Sequence, residues 1–121
     1  MANTFKVVTF AAEPTSAGTP YVVYTAGSGV TAVVLGLILT NINTAQVTAE
    51  VELVSDTGSR GGSNDVTNGT AFLAKDIPIP VGSSVELLSG NKVVLETTDQ
   101  IRIDCSVADK LSGALSVMEI T

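Results

Sequence analysis

Histidine and tryptophan are absent from this chain of 121 residues, and aromatic residues make up only 4% of it. Without imidazole there is no Ser-His or Cys-His pair and no base of the kind that titrates near neutrality. Cysteine occurs once, as Cys105, which excludes an internal disulfide. Its place at period two with Ile101, Ile103 and Val107 reads as a small buried hydrophobe, not a nucleophile or metal ligand. Charge is scarce as well, at 15% against the roughly 25% of ordinary soluble domains. A surface so short of charge has little with which to hold water, which implies that part of it is covered by other protein.

The charge that is present is mostly acidic. Lys6, Arg60, Lys75, Lys92, Arg102 and Lys110 are scattered singly against twelve acidic residues, for a net charge of -6. Phosphate backbones are held by clustered Lys and Arg, so nucleic acid is not expected as a partner. The longest apolar run, "AVVLGLIL", is far shorter than a bilayer-spanning helix, and no membrane partner is expected. The opening "MANTFKVVTF" lacks a charged stretch followed by a signal-length apolar one, which predicts a protein kept in the cytoplasm until assembly. Asn68-Gly69-Thr70 fits the glycosylation triplet and, without a secretion signal, reads as a turn.

What the chain does have is β-structure. Hydrophobic residues reach 45%, and many are β-branched, which favours pleated strands. "QVTAEVELV" sets Val47, Ala49, Val51 and Leu53 on one face and Gln46, Thr48, Glu50 and Glu52 on the other. "IRIDCSV" does the same, with Arg102, Asp104 and Ser106 outward. Further strands are predicted in "TFKVVTF", "YVVYTA", "TAVVLGLILTN", "TAFLAKD", "SSVELL", "KVVLET" and "ALSVMEIT". Turn chemistry separates them in "AGSG", "NINTAQ", "LSGNK", "TTDQ" and "ADKLSG". Many short strands at close spacing predict an all-β fold, one antiparallel β-sandwich or jelly-roll-like domain over residues 1–121.

Two segments interrupt the pattern. In "KDIPIPVGSS", Pro78 and Pro80 remove ladder donors, which confines them to an edge, a strand start or a bulge. Ile77 and Ile79 stay on the core side, and the segment reads as a corner where the chain passes through Gly82 from one sheet to the other, its prolines blunting an edge. Residues 55–70, "SDTGSRGGSNDVTNGT", exceed an ordinary hairpin loop. They read either as a protruding contact loop or as a tip without a partner. Residues 1–20 read as an extended N-terminal arm.

Three constellations resemble chemical sites. Gly27-x-Gly29-x-x-Ala32 after a strand, with Glu50 further on, has the spacing of a dinucleotide-binding turn. The following run is apolar all round, carries Gly36 and is rich in β-branched residues, so two strands joined by a glycine turn account for it better. Asp56 and Asp65 are oxygen ligands of the right type for calcium, but their spacing fits no ordered loop and Arg60 stands between them. Glu86, Glu96 and Asp99 are carboxylates at strand ends and turns, where charge is ordinarily solvated. No catalytic, cofactor-binding or metal residue is therefore assigned, no cofactor is expected, and the chain reads as a non-enzyme.

Three stretches then carry a family resemblance: "VVYTAGSGVTAVVLGLILTNINTAQVTAEVEL", "FLAKDIPIPVGSSVELLSGNKVVLETTDQIRID" and "ALSVMEI". Together they resemble small virion structural proteins of tailed bacteriophages, cyanophages among them, over nearly the whole chain. The resemblance implies an all-β accessory protein present in repeated copies. It stands as a decoration or cement protein bridging subunits of the major capsid protein, or as a neck, tail or baseplate component bound to other virion proteins. A host-surface or carbohydrate-binding module is a third reading, poorly served by the few aromatics. The implied location is the virion. The implied partner state is a homo-oligomer, a trimer if it sits at threefold positions. Candidate partner contacts are Asn3 and Phe5 at the amino end and Arg60 and Asn64 at the loop tip, because terminal arms and loop tips reach neighbours most easily.

Overall fold

Period-two alternation produces strands wherever it was read, and a computed structural model places them in two antiparallel sheets. It describes residues 2–55, 69–88, 90 and 92–121. Arg60, Asn64, Asp56, Asp65 and nearly all of the 55–70 loop lie outside the described residues. In chain order the strands are β1 (Asn3–Glu13), β2 (Tyr21–Thr25), β3 (Thr31–Asn41), β4 (Val47–Ser55), β5 (Gly69–Ile79), β6 (Ser84–Leu87), β7 (Val93–Leu95), β8 (Gln100–Cys105) and β9 (Leu111–Ile120).

The first sheet runs β1-β9-β3-β6, with β7 also paired to β3, and the second runs β2-β8-β4-β5. Counting β6 and β7 as one broken strand along β3, successive strands wind back and forth between the two sheets in the order of a jelly roll. The fold is an all-β antiparallel sandwich of that type. Between the sheets lie Val34, Leu37, Leu39, Leu115 and Val117 from the first and Val47, Val51, Ile101 and Ile103 from the second, all essentially without solvent exposure. Cys105 is buried in the same layer.

The amino-terminal segment differs from the expected arm. Asn3 to Phe10 pair residue by residue with β9, from Asn3↔Ile120 to Phe10↔Gly113. The reason is that Phe10 is a core side chain and Val8 packs against the core, and an arm would leave both in water. Phe10 lies directly over Gly113, where an added Cβ would come within 2.7 Å of its ring and 2.2 Å of the Ile38 carbonyl. Only glycine fits between these two strands.

The proline segment is a corner, as its sequence implies. β5 ends the second sheet, β6 belongs to the first, and Pro78 faces Thr48 on that outermost strand. Ser83 N–H then donates to the Pro80 carbonyl at 3.1 Å. Gly82 takes a φ of 72° inside this turn, a conformation that glycine adopts without steric cost. Gly27 and Gly29 close a similar turn between β2 and β3, with Val30 N–H donating to the Gly27 carbonyl at 3.1 Å and Gly29 at φ 73°. The residues spaced like a dinucleotide-binding motif are thus a strand-to-strand turn.

One buried amide holds the corner. Asn41, at the end of β3, donates from Nδ2 to the carbonyls of Ala45 and Ile79, both at 2.9 Å. Its Oδ1 accepts from Asn43 N–H at 2.7 Å. It joins the β3–β4 connection to the exit of β5, and the Ile79 carbonyl that it satisfies is buried. Asn41→Ala would take that donor away and is expected to lower stability by about 2 kcal/mol. A urea unfolding curve that stays within experimental error of the wild type would contradict this.

Candidate interaction surface

The outward faces of the two sheets differ in kind. On the second sheet the outward residues include paired charges, with Phe72 and Val22 as exposed apolar side chains among them. Arg102 bonds Glu52 at 2.6 Å and Lys75 bonds Glu50 at 2.6 Å. Asp104 accepts from Gly18 N–H at 3.1 Å and Cys105 N–H at 2.8 Å, so the β1–β2 connection covers it and it is buried instead of solvated. This is the alternation read from "QVTAEVELV" and "IRIDCSV", with water or fixed partners on the polar side.

The first sheet has apolar residues on both faces. Cross-strand registers align Phe5 with Met118, Met118 with Val33, and Val33 with Val94, a row spanning four strands. Beside it Val7 faces Ser116 and Ser116 faces Gly36, and farther along Thr9, Ala114, Ile38 and Glu86 form another row. All of these project away from the core, because their neighbours in sequence are the buried ones. Phe5 is 72% exposed, Val7 64%, Val94 56% and Ile38 42%. Among the described strand residues of this face, Glu86 is the one charged side chain.

A bulge shapes the middle of the face. The register of β3 against β9 shifts between Val34 and Gly36, leaving Leu35 as an additional residue. Ala32 and Val34 face the core before it, and Leu37, Leu39 and Asn41 face the core after it. The bulge floors a shallow groove of about 410 Å³ lined by Leu35, Ile38, Ala114, Ser116 and Glu86, among others. Large contiguous apolar surfaces are uncommon on the outside of monomeric soluble proteins.

At one end of the sandwich three side chains lock the sheets together. Tyr24 Oη donates to Glu119 at 2.5 Å, and Lys6 Nζ bonds the same carboxylate at 2.8 Å. Lys6, then Tyr24, hold the Glu119 carboxyl below its usual range. Burial and the bond to Glu119 push the Tyr24 phenol far up. Burial likewise raises the Cys105 thiol, which disfavours its reactive thiolate. Among the described residues no group of three or more Asp, Glu, His or Cys is gathered to hold a metal ion.

Of the expected contacts, Phe5 lies within the apolar face, and Asn3 stands opposite Ile120 at the sheet's end. Arg60 and Asn64 lie outside the described residues, and nothing brings them to this surface. Sequence reasoning missed Val33, Leu35, Ile38, Val94 and Met118. For Val33, Leu35 and Ile38 the signal was the apolar run "TAVVLGLILTN", which alternates nowhere. A strand apolar on both faces is one covered on both faces.

The geometry therefore defines a jelly-roll domain with one wet and one dry outer face, and that strand order carries the fold assignment. No protein-family model matches the chain, and no curated protein matches it. Solved structures similar to it include a protein from the Bacillus endospore appendages, described as a novel family of disulfide-linked pili. It shares 16% identity over 99% of this chain and 87% of that one, at a TM-score of 0.47. Another comes from the infectious bursal disease virus Gx strain, at 15% identity and a TM-score of 0.48. That match covers 95% of this chain but only 33% of the viral one, so the chain spans about a third of that protein's length.

The Glu119 cluster has a pH signature. Because the folded carboxyl titrates below its ordinary value of about 4.3, its contribution is fully present above that value and is lost as pH falls through the lower one. Glu119→Gln has no carboxyl to protonate. Its melting temperature is expected to fall less steeply than the wild type's between about pH 5 and about pH 3. Parallel curves in thermal unfolding would place the acid sensitivity on other carboxylates.

Proposed function

We infer that the chain is a structural subunit of a bacteriophage particle, most specifically a decoration protein that lies on the assembled head shell and bridges neighbouring capsid subunits. The observation that carries the reading is the contrast between the two outer faces. The β2-β8-β4-β5 sheet pairs its charges, as a surface facing water does. The β1-β9-β3 sheet, with β6 and β7, presents Phe5, Val7, Val33, Ile38, Val94 and Met118 and a single carboxylate, as a surface meant to be covered does. The virion assignment itself comes from the sequence resemblance, whose stretches include strands of both sheets but not β1.

The mechanism in this role is energetic. Each copy adds binding free energy that the assembled shell has and its separated subunits lack. Repetition on a symmetric lattice lets modest contacts act together. The described aromatics do not favour a carbohydrate module: Tyr21 packs on Phe10 at 5.9 Å between ring centroids, Tyr24 is bonded to Glu119, and the exposed Phe5 and Phe72 lie on the outer faces of different sheets.

Quantitative mass spectrometry of purified virions tests the reading. A copy number that scales with the shell lattice is expected, with loss of the protein lowering the particle's resistance to heat. A small ring-like multiple would place it in the neck, tail or baseplate, and a count near zero would remove it from the virion. Ile38→Lys sets an ammonium on the dry face at an exposed site, where Glu86 stands opposite it. The variant is expected to melt like the wild type yet to load onto particles at a level lower by roughly tenfold or more. Normal loading of the variant would show that this face is not the contact.

A further inference from the structure

Each sheet has two outer edges, and three of these four are blunted in the ways natural sheets use to avoid joining one another. The β6/β7 edge is broken into pieces of four and three residues. β2 is five residues long and carries a register shift between Val22 and Tyr24. β5 is long, but Pro78 removes a donor and its pairing with β4 slips around Val51. The fourth edge, β1, carries its register shift only at its far end, between Phe10 and Glu13. It is eleven residues long and regular from Asn3 to Phe10, and among the described residues no strand pairs with its outer side.

Its open hydrogen-bonding groups can be assigned. Ala2 and Thr121 exchange both of their bonds, Ala2 N–H to Thr121 at 3.2 Å and Thr121 N–H to Ala2 at 3.0 Å. Antiparallel ladders alternate bonded and non-bonded pairs. Thr4, Lys6, Val8 and Phe10 therefore direct their backbone groups to β9, and Asn3, Phe5, Val7 and Thr9 direct theirs outward. The charge that often guards such an edge is withdrawn, because Lys6 is held at 2.8 Å by Glu119 of its own chain. None of the chain's twelve acidic residues falls within residues 3–12, and the acid across the ladder from Thr4, Glu119, is paired with Lys6.

We propose that β1 pairs with β1 of a second copy, antiparallel about a twofold axis at Val7, to make one continuous sheet across a dimer. With the other three edges blunted, a ladder between two copies uses β1 twice, and that arrangement is twofold. Outward-directed groups must meet outward-directed groups, which sets the axis on a residue and not between two, and axes at Thr4 or from Val8 onward leave a shorter regular overlap than Lys6 or Val7 does. An axis at Lys6 sets two ammonium-bearing residues directly opposite each other, which is unfavourable. An axis at Phe5 shortens the overlap. At Val7 the bonded pairs are Phe5 with Thr9 of the second copy, Val7 with Val7, and Thr9 with Phe5, while Lys6 faces Val8. The two apolar outer faces become one surface about twice as wide, with Phe5 and Val7 at its centre. This pairing stands on the edge itself and holds whatever particle the dimer joins.

Analytical ultracentrifugation of the full chain with Val7→Pro, together with amide exchange on the wild type, tests it. The wild type is expected at twice the 12.3 kDa chain mass, with the amides of Phe5, Val7 and Thr9 protected at high concentration and exposed on dilution. Val7→Pro removes an N–H that takes no part in the ladder with β9. It is expected to keep the wild-type circular dichroism and to weaken dimerisation roughly hundredfold or more. A wild-type monomer, a trimer, or amides at Phe5, Val7 and Thr9 that exchange freely in the dimer would overturn the proposal. So would a folded Val7→Pro that dimerises normally. Should the variant fail to fold, the wild-type mass and exchange pattern decide alone.

Discussion

Strand β3 is the constraint on which the rest depends. It is paired along both sides, to β9 on one and to β6 and β7 on the other, and it carries apolar side chains on both faces. Its inward residues Val34, Leu37 and Leu39 make the centre of the core, and its outward residues Val33, Leu35 and Ile38 make the centre of the dry face. An unbroken period of two could not place both sets as they are. The extra residue at Leu35 shifts the phase once, so that an almost uninterrupted apolar run serves two surfaces in succession.

Around that strand the molecule separates its wet and dry sides. The second sheet satisfies its outward charges within itself, through Arg102 with Glu52 and Lys75 with Glu50, and it closes its outer strand with proline. The first sheet leaves an apolar face and a regular edge. Both belong to β1 and its neighbours, and Phe5 and Val7 contribute to each. The two features follow from one property of a strand: residues that turn their backbone to one side turn their side chains to one face. The residues that open the edge are for that reason the residues that extend the surface.

Much of the architecture is legible in the residues. Every predicted strand is present, the "IPIP" corner carries the chain from one sheet to the other, and the glycine turn at Gly27–Gly29 joins two strands. These features are local, set by side-chain alternation, proline's missing donor and glycine's access to positive φ. The amino-terminal segment misled for a local reason too: "TFKVVTF" shows strand character, but nothing near it in sequence shows what it pairs with. Phe5 is exposed, but it sits in a paired strand and not on a free terminal arm.

The sequence by itself determined that the chain is all-β, where each strand lies and which turns join them, because backbone preference and period-two alternation act over a few residues. Tertiary structure decided which strands are neighbours, and with that which apolar residues are core and which are surface. Phe10 and Phe5 have similar local surroundings, yet Phe10 packs over Gly113 at the far end of the chain while Phe5 is exposed. The difference comes from pairing across the whole length of the sequence, where burial of one face of a sheet selects the register and no local rule can.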